Sequence, residues 1–187
     1  PTGELVIPET VIHDGVLYKI ESIGRNAFFY CDGLTGVVIP NSVFSIGNQA
    51  FCHCEGLTSL TLNESLEIIG DSSFFYCNHL QSLVIPNSVT EIGRWAFGYC
   101  DALPSVTIGS SVSLIKQNAF PTPLQSVVSL NHEAPLWSGS PFQWNSTSTP
   151  IYIPIGSLAS YQSRWTRFYL FIETDFSQPD SAANECI

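Results

Sequence analysis

The amino-acid sequence predicts a right-handed solenoid, with five 23-residue rungs of short β-strands and short helical turns closed by a non-repeat C-terminal cap. Two observations carry this reading. Phe28, Phe51, Phe74, Phe97 and Phe120 lie 23 residues apart, and so do Ile23, Ile46, Ile69, Ile92 and Ile115. Cys31, Cys54, Cys77 and Cys100 keep the same interval, as do Leu34, Leu57, Leu80 and Leu103. Further, no single unit of this length can bury its own apolar set, so such units are stable only when stacked.

Each element of the rung follows from its residues. Leu83-Val84-Ile85 alternates and is β-rich, which predicts a short strand. Pro86-Asn87-Ser88 turns the chain, as Pro40-Asn41-Ser42 does one copy away, and Pro also ends the strand. Val89 to Ile92 reads as a second strand, and Gly93 permits a bend that other residues resist. Arg94-Trp95-Ala96-Phe97 reads as a helical turn that plants Phe97 in the core. The run Leu57-Thr58-Ser59-Leu60-Thr61-Leu62 fits the Leu-x-x-Leu-x-Leu pattern of leucine-rich repeats, which sets the fold class. At a strand spacing of ~4.8 Å the coil is only ~24 Å long.

The two ends differ from the middle. Residues 1–130 form the solenoid, and its first rung carries nine extra residues around His13-Asp14-Gly15-Val16. These read as a β-turn extension over the N-terminal edge. The fifth copy replaces Gly by Lys116 and Cys by Pro123, as suits a last rung. Residues 131–175 are the expected cap. It comprises a loop over Pro135 to Pro150, a strand at Ile151 to Ile153, a helix capped by Ser157, and a closing strand from Tyr169 to Ile172. The helix runs through Trp165 and places Leu158, Tyr161 and Trp165 at helical spacing. Residues 176–187 read as a flexible tail.

Composition narrows the function classes. Apolar residues make up 44% and charged residues 12% of the 187, too apolar a mixture for disorder. Six Lys and Arg face 16 Asp and Glu, giving a net charge of −10. Such a surface repels nucleic-acid phosphates and anionic lipid. No apolar run approaches the ~20 residues of a membrane span, so no insertion by this segment is expected. Pro1 reads as a processed or trimmed end.

Residues 34–54 and 80–100, with Ile-Pro-x-Ser-Val, Ile-Gly, Ala-Phe and Cys in order, resemble the BspA-like leucine-rich-repeat family of bacterial and parasite surface proteins. The ending Ile151-Tyr152-Ile153-Pro154 through Tyr161, Trp165, Phe168 and Ile172 is similar to the segment that often closes such arrays. The resemblance covers roughly residues 3–173. It implies an extracellular or cell-surface protein that binds host or neighbouring-cell proteins, with no catalytic residues to carry over. Leu62-Asn63 lacks the family's Pro, and the fifth rung lacks its Gly and Cys.

Little in the sequence points to catalysis or metal. His13, His53, His79 and His132 lie in no triad or elbow motif, so no enzyme is expected. Cys52-His53-Cys54 would need further ligands to hold zinc, and no metal or cofactor is expected. Cys31, Cys54, Cys77 and Cys100 either form a ladder of buried free thiols, the favoured reading, or bridge in pairs. Tyr30, His53, Tyr76 and Tyr99 form a column beside Phe29, Cys52, Phe75 and Gly98, near the surface. The ligand-contact candidates are therefore Tyr30, His53, Tyr76, Tyr99, Phe29 and Phe75. The competing reading, which is preferred, is a stacked ladder that only stabilises the coil. Ser59, Thr61, Ser82, Val84, Ser105 and Thr107 form a small polar face open to a peptide or glycan. The sequons at Asn63 and Asn145 matter only in a eukaryotic secretory host.

The function expected from all this is a non-catalytic surface or secreted module for protein binding and adhesion. The alternatives are a structural spacer that displays another domain, and a glycan binder that uses Trp137 and Trp144. A monomer is expected, since the turn-like first and last rungs block end-to-end stacking.

Overall fold

The computed structural model describes residues 1–121, 123–142, 149–166 and 170–177. The chain returns to pair with itself in parallel after each rung, and each return contributes to two sheets. In the first, Gly3–Val6, Leu34–Val38 and Ser59–Thr61 pair in order. Ser105–Ile108, Ser126–Ser129, Ile151–Pro154 and Phe171–Thr174 continue the series. The rung between them is tied by a Val84–Thr107 bridge and by the Gln81 N–H, which donates to the Thr58 carbonyl at 3.2 Å.

The second sheet stacks Ser22–Ile23, Ser45–Ile46, Ile68–Ile69, Glu91–Ile92, Leu114–Lys116 and Leu136–Ser138. Its register sets Ile23, Ile46, Ile69, Ile92 and Ile115 opposite one another, all buried. Each inward residue thus touches its own kind above and below, which is why identical types recur.

The periodicity reading is extended at the C-terminal end. The stretch expected to be a loop from Pro135 instead continues the coil: Leu136–Ser138 is a sixth strand of the second sheet. Phe142, buried, takes the place of the column Phe and bridges to Phe120. Lys116, in the Gly position, forms an ion pair with Glu91 at 2.6 Å.

The cap helix spans Leu158–Arg164, but Ser157 makes no side-chain cap. Its hydroxyl donates to the Pro154 carbonyl, and Glu173 Oε1 instead accepts the N–H groups of Gly156 and Leu158 at 2.9 and 3.1 Å. That carboxylate comes from the closing strand, Phe171–Thr174, so strand and helix fasten each other. Tyr161 and Trp165 face inward and are fully buried. The Tyr161 hydroxyl donates to the Asn131 carbonyl and accepts from the Ser129 hydroxyl, and burial pushes its pKa up to about 12. Trp165 Nε1 donates to the Pro135 carbonyl at 3.0 Å.

At the other end the extra residues form a hairpin, Thr10–His13 with Val16–Lys19, turned through Asp14 and Gly15 at φ 50° and 77°. Two positive φ values in a two-residue loop match the turn that suits strand twist. All eight strand residues are exposed. The hairpin stands off the coil and does not lie over its edge.

Candidate functional site

The third side of each rung was expected to be a helical turn. It is a chain of linked i→i+3 turns instead. In the fourth copy the N–H groups of Ala96, Gly98 and Cys100 close on the carbonyls of Gly93, Trp95 and Phe97. The alternate N–H groups of Trp95 and Phe97 reach forward to Gln117 and Ala119 of the next rung. Two residues per rung are left-handed: Asn26 and Tyr30, Gln49 and His53, Ser72 and Tyr76, Trp95 and Tyr99, all with φ between 53° and 62°. This region is disfavoured for bulky side chains, at a cost of ~1–2 kcal/mol per residue. The bonds to the next rung hold them there: Tyr30 N–H to Cys52, His53 N–H to Phe75 and Tyr76 N–H to Gly98, at 2.7–3.0 Å.

Gly93 has no positive φ, so its value is not the bend expected of it. A Cβ there would meet the backbone of Gly70 and Asp71 at 2.5 Å. The rungs approach too closely at this corner for any side chain.

Alternation along this backbone sends one residue inward and the second next outward. The inward column is Phe28, Phe51, Phe74, Phe97 and Phe120, stacked at 4.9, 5.1, 5.2 and 6.0 Å with interplanar angles of 7° or less. Phe142 and then Trp165 terminate it. All five are fully buried except Phe28, half-buried at the open end.

Beside it runs the thiol column. Cys31, Cys52, Cys54, Cys77 and Cys100 are free. The thiols of Cys54, Cys77 and Cys100 donate to the carbonyls of Phe28, Phe51 and Phe74 at 3.2–3.3 Å. Each cysteine therefore ties its rung to the Phe of the rung before, which a methyl could not do. Burial raises all three thiol pKa values, that of Cys54 to about 12.

The outward column is the candidate site. Tyr30, His53, Tyr76 and Tyr99 stack at 4.5, 4.8 and 4.6 Å within 8° of parallel. Phe29 and Phe75 stand edge-on to them at 80° or more. All six candidates thus come together in one strip. The alternation Phe29, Cys52, Phe75, Gly98 has a packing reason at its last step. A Cβ on Gly98 would lie 3.0 Å from the Phe75 ring and 2.7 Å from Trp95.

Trp95 was not expected in the strip. It stacks on Tyr99 at 5.8 Å and meets Phe75 at 89°, closing the C-terminal end of the ladder. Its only signal in the sequence is that Gln49, Ser72 and Asn118 share its phase and it alone is aromatic. Tyr30 closes the opposite end and is 57% exposed, with Phe29 at 40%.

Between the two ends of the ladder, ring faces are spent on one another, so there the strip shows solvent its edges. No partner meets the hydroxyls of Tyr30, Tyr76 and Tyr99 among the described residues. Asp32, Glu55 and Asp101 share one phase just past the thiols and are exposed, giving the strip an acidic border. Glu55 Oε1 lies 3.4 Å from His53 Nδ1.

Elsewhere the chemistry is thin. Ser59, Thr61, Ser82 and Val84 are exposed on the first sheet, while Ser105 and Thr107 are half-buried. Asn63 is buried, and its Nδ2 donates to the carbonyls of Pro40 and Val43 at 2.7 and 3.0 Å. It fills the place of the missing Pro and is closed to a glycan. Trp137 packs on Trp165 inside the cap. Trp144, Asn145, Phe168, Tyr169 and Cys186 lie outside the described residues. Among the described residues no three His, Cys, Asp or Glu side chains gather as a metal site, and no helix is long and apolar enough to cross a membrane.

A family model for the BspA type leucine-rich repeat region matches residues 17–133 in six copies. The chain belongs to the BspA-type leucine-rich-repeat family. The match ends before Leu136–Ser138, the last strand of the second sheet. Among solved structures, this BspA-type chain is similar to a leucine-rich repeat protein from Bacteroides ovatus, at 26% identity and a TM-score of 0.64. That match covers 80% of this chain and 47% of the other. A leucine-rich cell surface protein from Faecalibacterium prausnitzii matches at 25% identity and a TM-score of 0.60, with the same coverage of each chain. A leucine-rich repeat protein from T. pallidum shares the fold, at 23% identity and a TM-score of 0.62, over 90% of this chain and 85% of its own. The chain spans just under half the length of the first two. No curated protein matches it.

Proposed function

We propose that the chain is a non-catalytic protein-binding module displayed at a cell surface or secreted, and that the aromatic strip is its contact surface. The observation that carries this is a line of aligned rings along one side of the coil, exposed at Phe29 and Tyr30 and half-exposed beyond, whose three Tyr hydroxyls have no partner among the described residues. Tyr and other aromatics are favoured at interfaces because they bury large area at small entropic cost. Membership of the BspA type and the likeness to a protein described as a cell surface protein support the location.

Protein is favoured over glycan by geometry. A sugar packs its C–H face on a free ring face. His53, Tyr76 and Tyr99 are each stacked between two neighbouring rings, which leaves the terminal Tyr30 alone in the ladder with a single stacked neighbour.

The test is biolayer interferometry of the immobilised chain against purified extracellular-matrix and bacterial surface proteins, with an oligosaccharide panel alongside. The expected result is at least one saturable protein partner, weakened about 10-fold or more by Tyr76→Ala, as for an interface hot spot. Protein binding indifferent to that substitution, or binding to oligosaccharides alone, would refute the reading.

A further inference from the structure

We infer that the ligand of this strip is an extended proline-rich segment in the polyproline II conformation that carries a basic residue. The inference rests on the strip being a binding surface and adds the chemistry of what binds.

The first argument is period. Phe29 and Phe75 are the two rings that stand across the ladder, and they are two rungs apart. Two rungs at a strand spacing of ~4.8 Å separate them by ~9.6 Å. A polyproline II helix has three residues per turn with a ~3.1 Å rise, so prolines at i and i+3 are ~9.3 Å apart on one side. One proline ring therefore meets Phe29 as the next meets Phe75. Extended β-strands, at ~3.3 Å per residue with a period of two, bring like side chains round every ~6.6 Å and do not match.

The second argument is hydrogen bonding. A polyproline II backbone makes no internal bonds and leaves its carbonyls free, while proline offers no N–H. A surface that recognises it must supply donors. Tyr30 and Tyr76 stand edge-to-face with the two Phe rings, and their hydroxyls have no partner among the described residues. Aromatic-lined grooves are how proline-rich segments are read in general, because the ligand is already stiff and loses little entropy.

The third argument is charge. Asp32, Glu55 and Asp101 border the strip on one side, in a chain of net charge −10. Complementarity calls for Lys or Arg beside the prolines.

The experiment is fluorescence anisotropy of the full chain with a labelled Arg-Pro-Pro-Leu-Pro-Pro-Leu-Pro-Pro peptide. Controls are a peptide of the same composition in which the i, i+3 proline spacing is broken, and one with Glu for Arg. We expect saturable binding with a dissociation constant of about 10–100 µM and at least ~10-fold weaker binding of either control. Phe75→Ala should weaken binding about 10-fold. Tyr76→Phe should weaken it about 3-fold with an unchanged melting temperature, because only a hydroxyl without an internal partner is lost. Asp32→Asn with Asp101→Asn should lower affinity and flatten the salt dependence.

No saturation by ~1 mM on a chain that melts normally overturns the inference. So does equal affinity for the broken-spacing peptide, or binding untouched by Phe75→Ala and Tyr76→Phe. If a protein partner binds through Tyr76 while the peptide does not, the ligand class falls and the binding strip stands. If neither binds, both fall.

Discussion

Phe74 and Tyr76 stand two residues apart in one rung, and each belongs to a stack of parallel rings that runs along the coil. The inner rings are 4.9–6.0 Å apart and the outer ones 4.5–4.8 Å, so by ring geometry alone the columns are near equals. They differ in what surrounds them. Phe74 is fully buried among the Ile, Leu and thiol columns. Tyr76 sits half-exposed in a left-handed backbone conformation. One column turns ring contact into stability, while the other holds its rings in place at a backbone cost.

The comparison is tested most severely by truncating each ring. Phe74→Ala opens a cavity shared by three rungs and should cost ~3–5 kcal/mol. Tyr76→Ala loses two stacking contacts worth ~0.5–1.5 kcal/mol each beyond their area, offset in part by solvent access to the site. Thermal melts should therefore show Phe74→Ala losing well over twice as much. Equal losses would mean that the outer column is as much a part of the core as the inner.

The thiols sharpen the same contrast between inside and outside. On the native chain at pH 8, iodoacetamide should spare Cys77 and Cys100, which are fully buried, and label the half-buried Cys31 at the open end. Peptide mapping after denaturation reads this directly. Burial also holds the Cys54 thiol neutral up to about pH 12, with Cys77 and Cys100 likewise raised. The unfolded chain, with thiol pKa values near ~8.5, releases these protons first. Above that pH it binds fewer protons than the native state, so stability falls as pH rises. The melting temperature should hold below about pH 8 and drop between about pH 9 and 12. Cys100→Ala should shrink that drop, and an unchanged alkaline slope would show that these thiols do not control it.

The inward half of this architecture was legible because burial selects residue type. Phe28 to Phe120, the Ile series and the Cys series recur since each must fit the same slot against its own copy. The donation from each thiol to the preceding Phe carbonyl was not legible, though the column was. Nor was the left-handed turn, since Tyr, His and Trp carry no sign of a conformation that glycine usually marks. Gly93 misled for the opposite reason, being required by a close approach of backbones and not by φ. The sixth rung was hidden because its column residue, Phe142, follows Phe120 after 22 residues where the others follow after 23. The six ligand-contact candidates do converge in one strip, because a column in a parallel coil needs only the period. Trp95 escaped since it occurs once, and a single residue cannot announce a column.

The smallest expected effect separates the backbone cost of the outer column from its ring contacts. Tyr76 has φ 62°, held by its N–H bond to the Gly98 carbonyl at 2.9 Å. Removing the ring with Ala leaves a Cβ in that strained conformation, while removing it with Gly relieves the strain. Elsewhere Gly is the poorer choice, by roughly 0.5–1 kcal/mol in an element interior, because the unfolded chain has more freedom to lose. Here the relief of ~1–2 kcal/mol outweighs that entropy. Tyr76→Gly should therefore be more stable than Tyr76→Ala by up to about 1 kcal/mol, read as a higher urea midpoint at the same slope. The same pair at Phe74, which has no positive φ, should rank the other way, with Ala above Gly. If Gly fell below Ala at both positions, the left-handed backbone would carry no measurable cost, and the outer stack would be held by its rings alone.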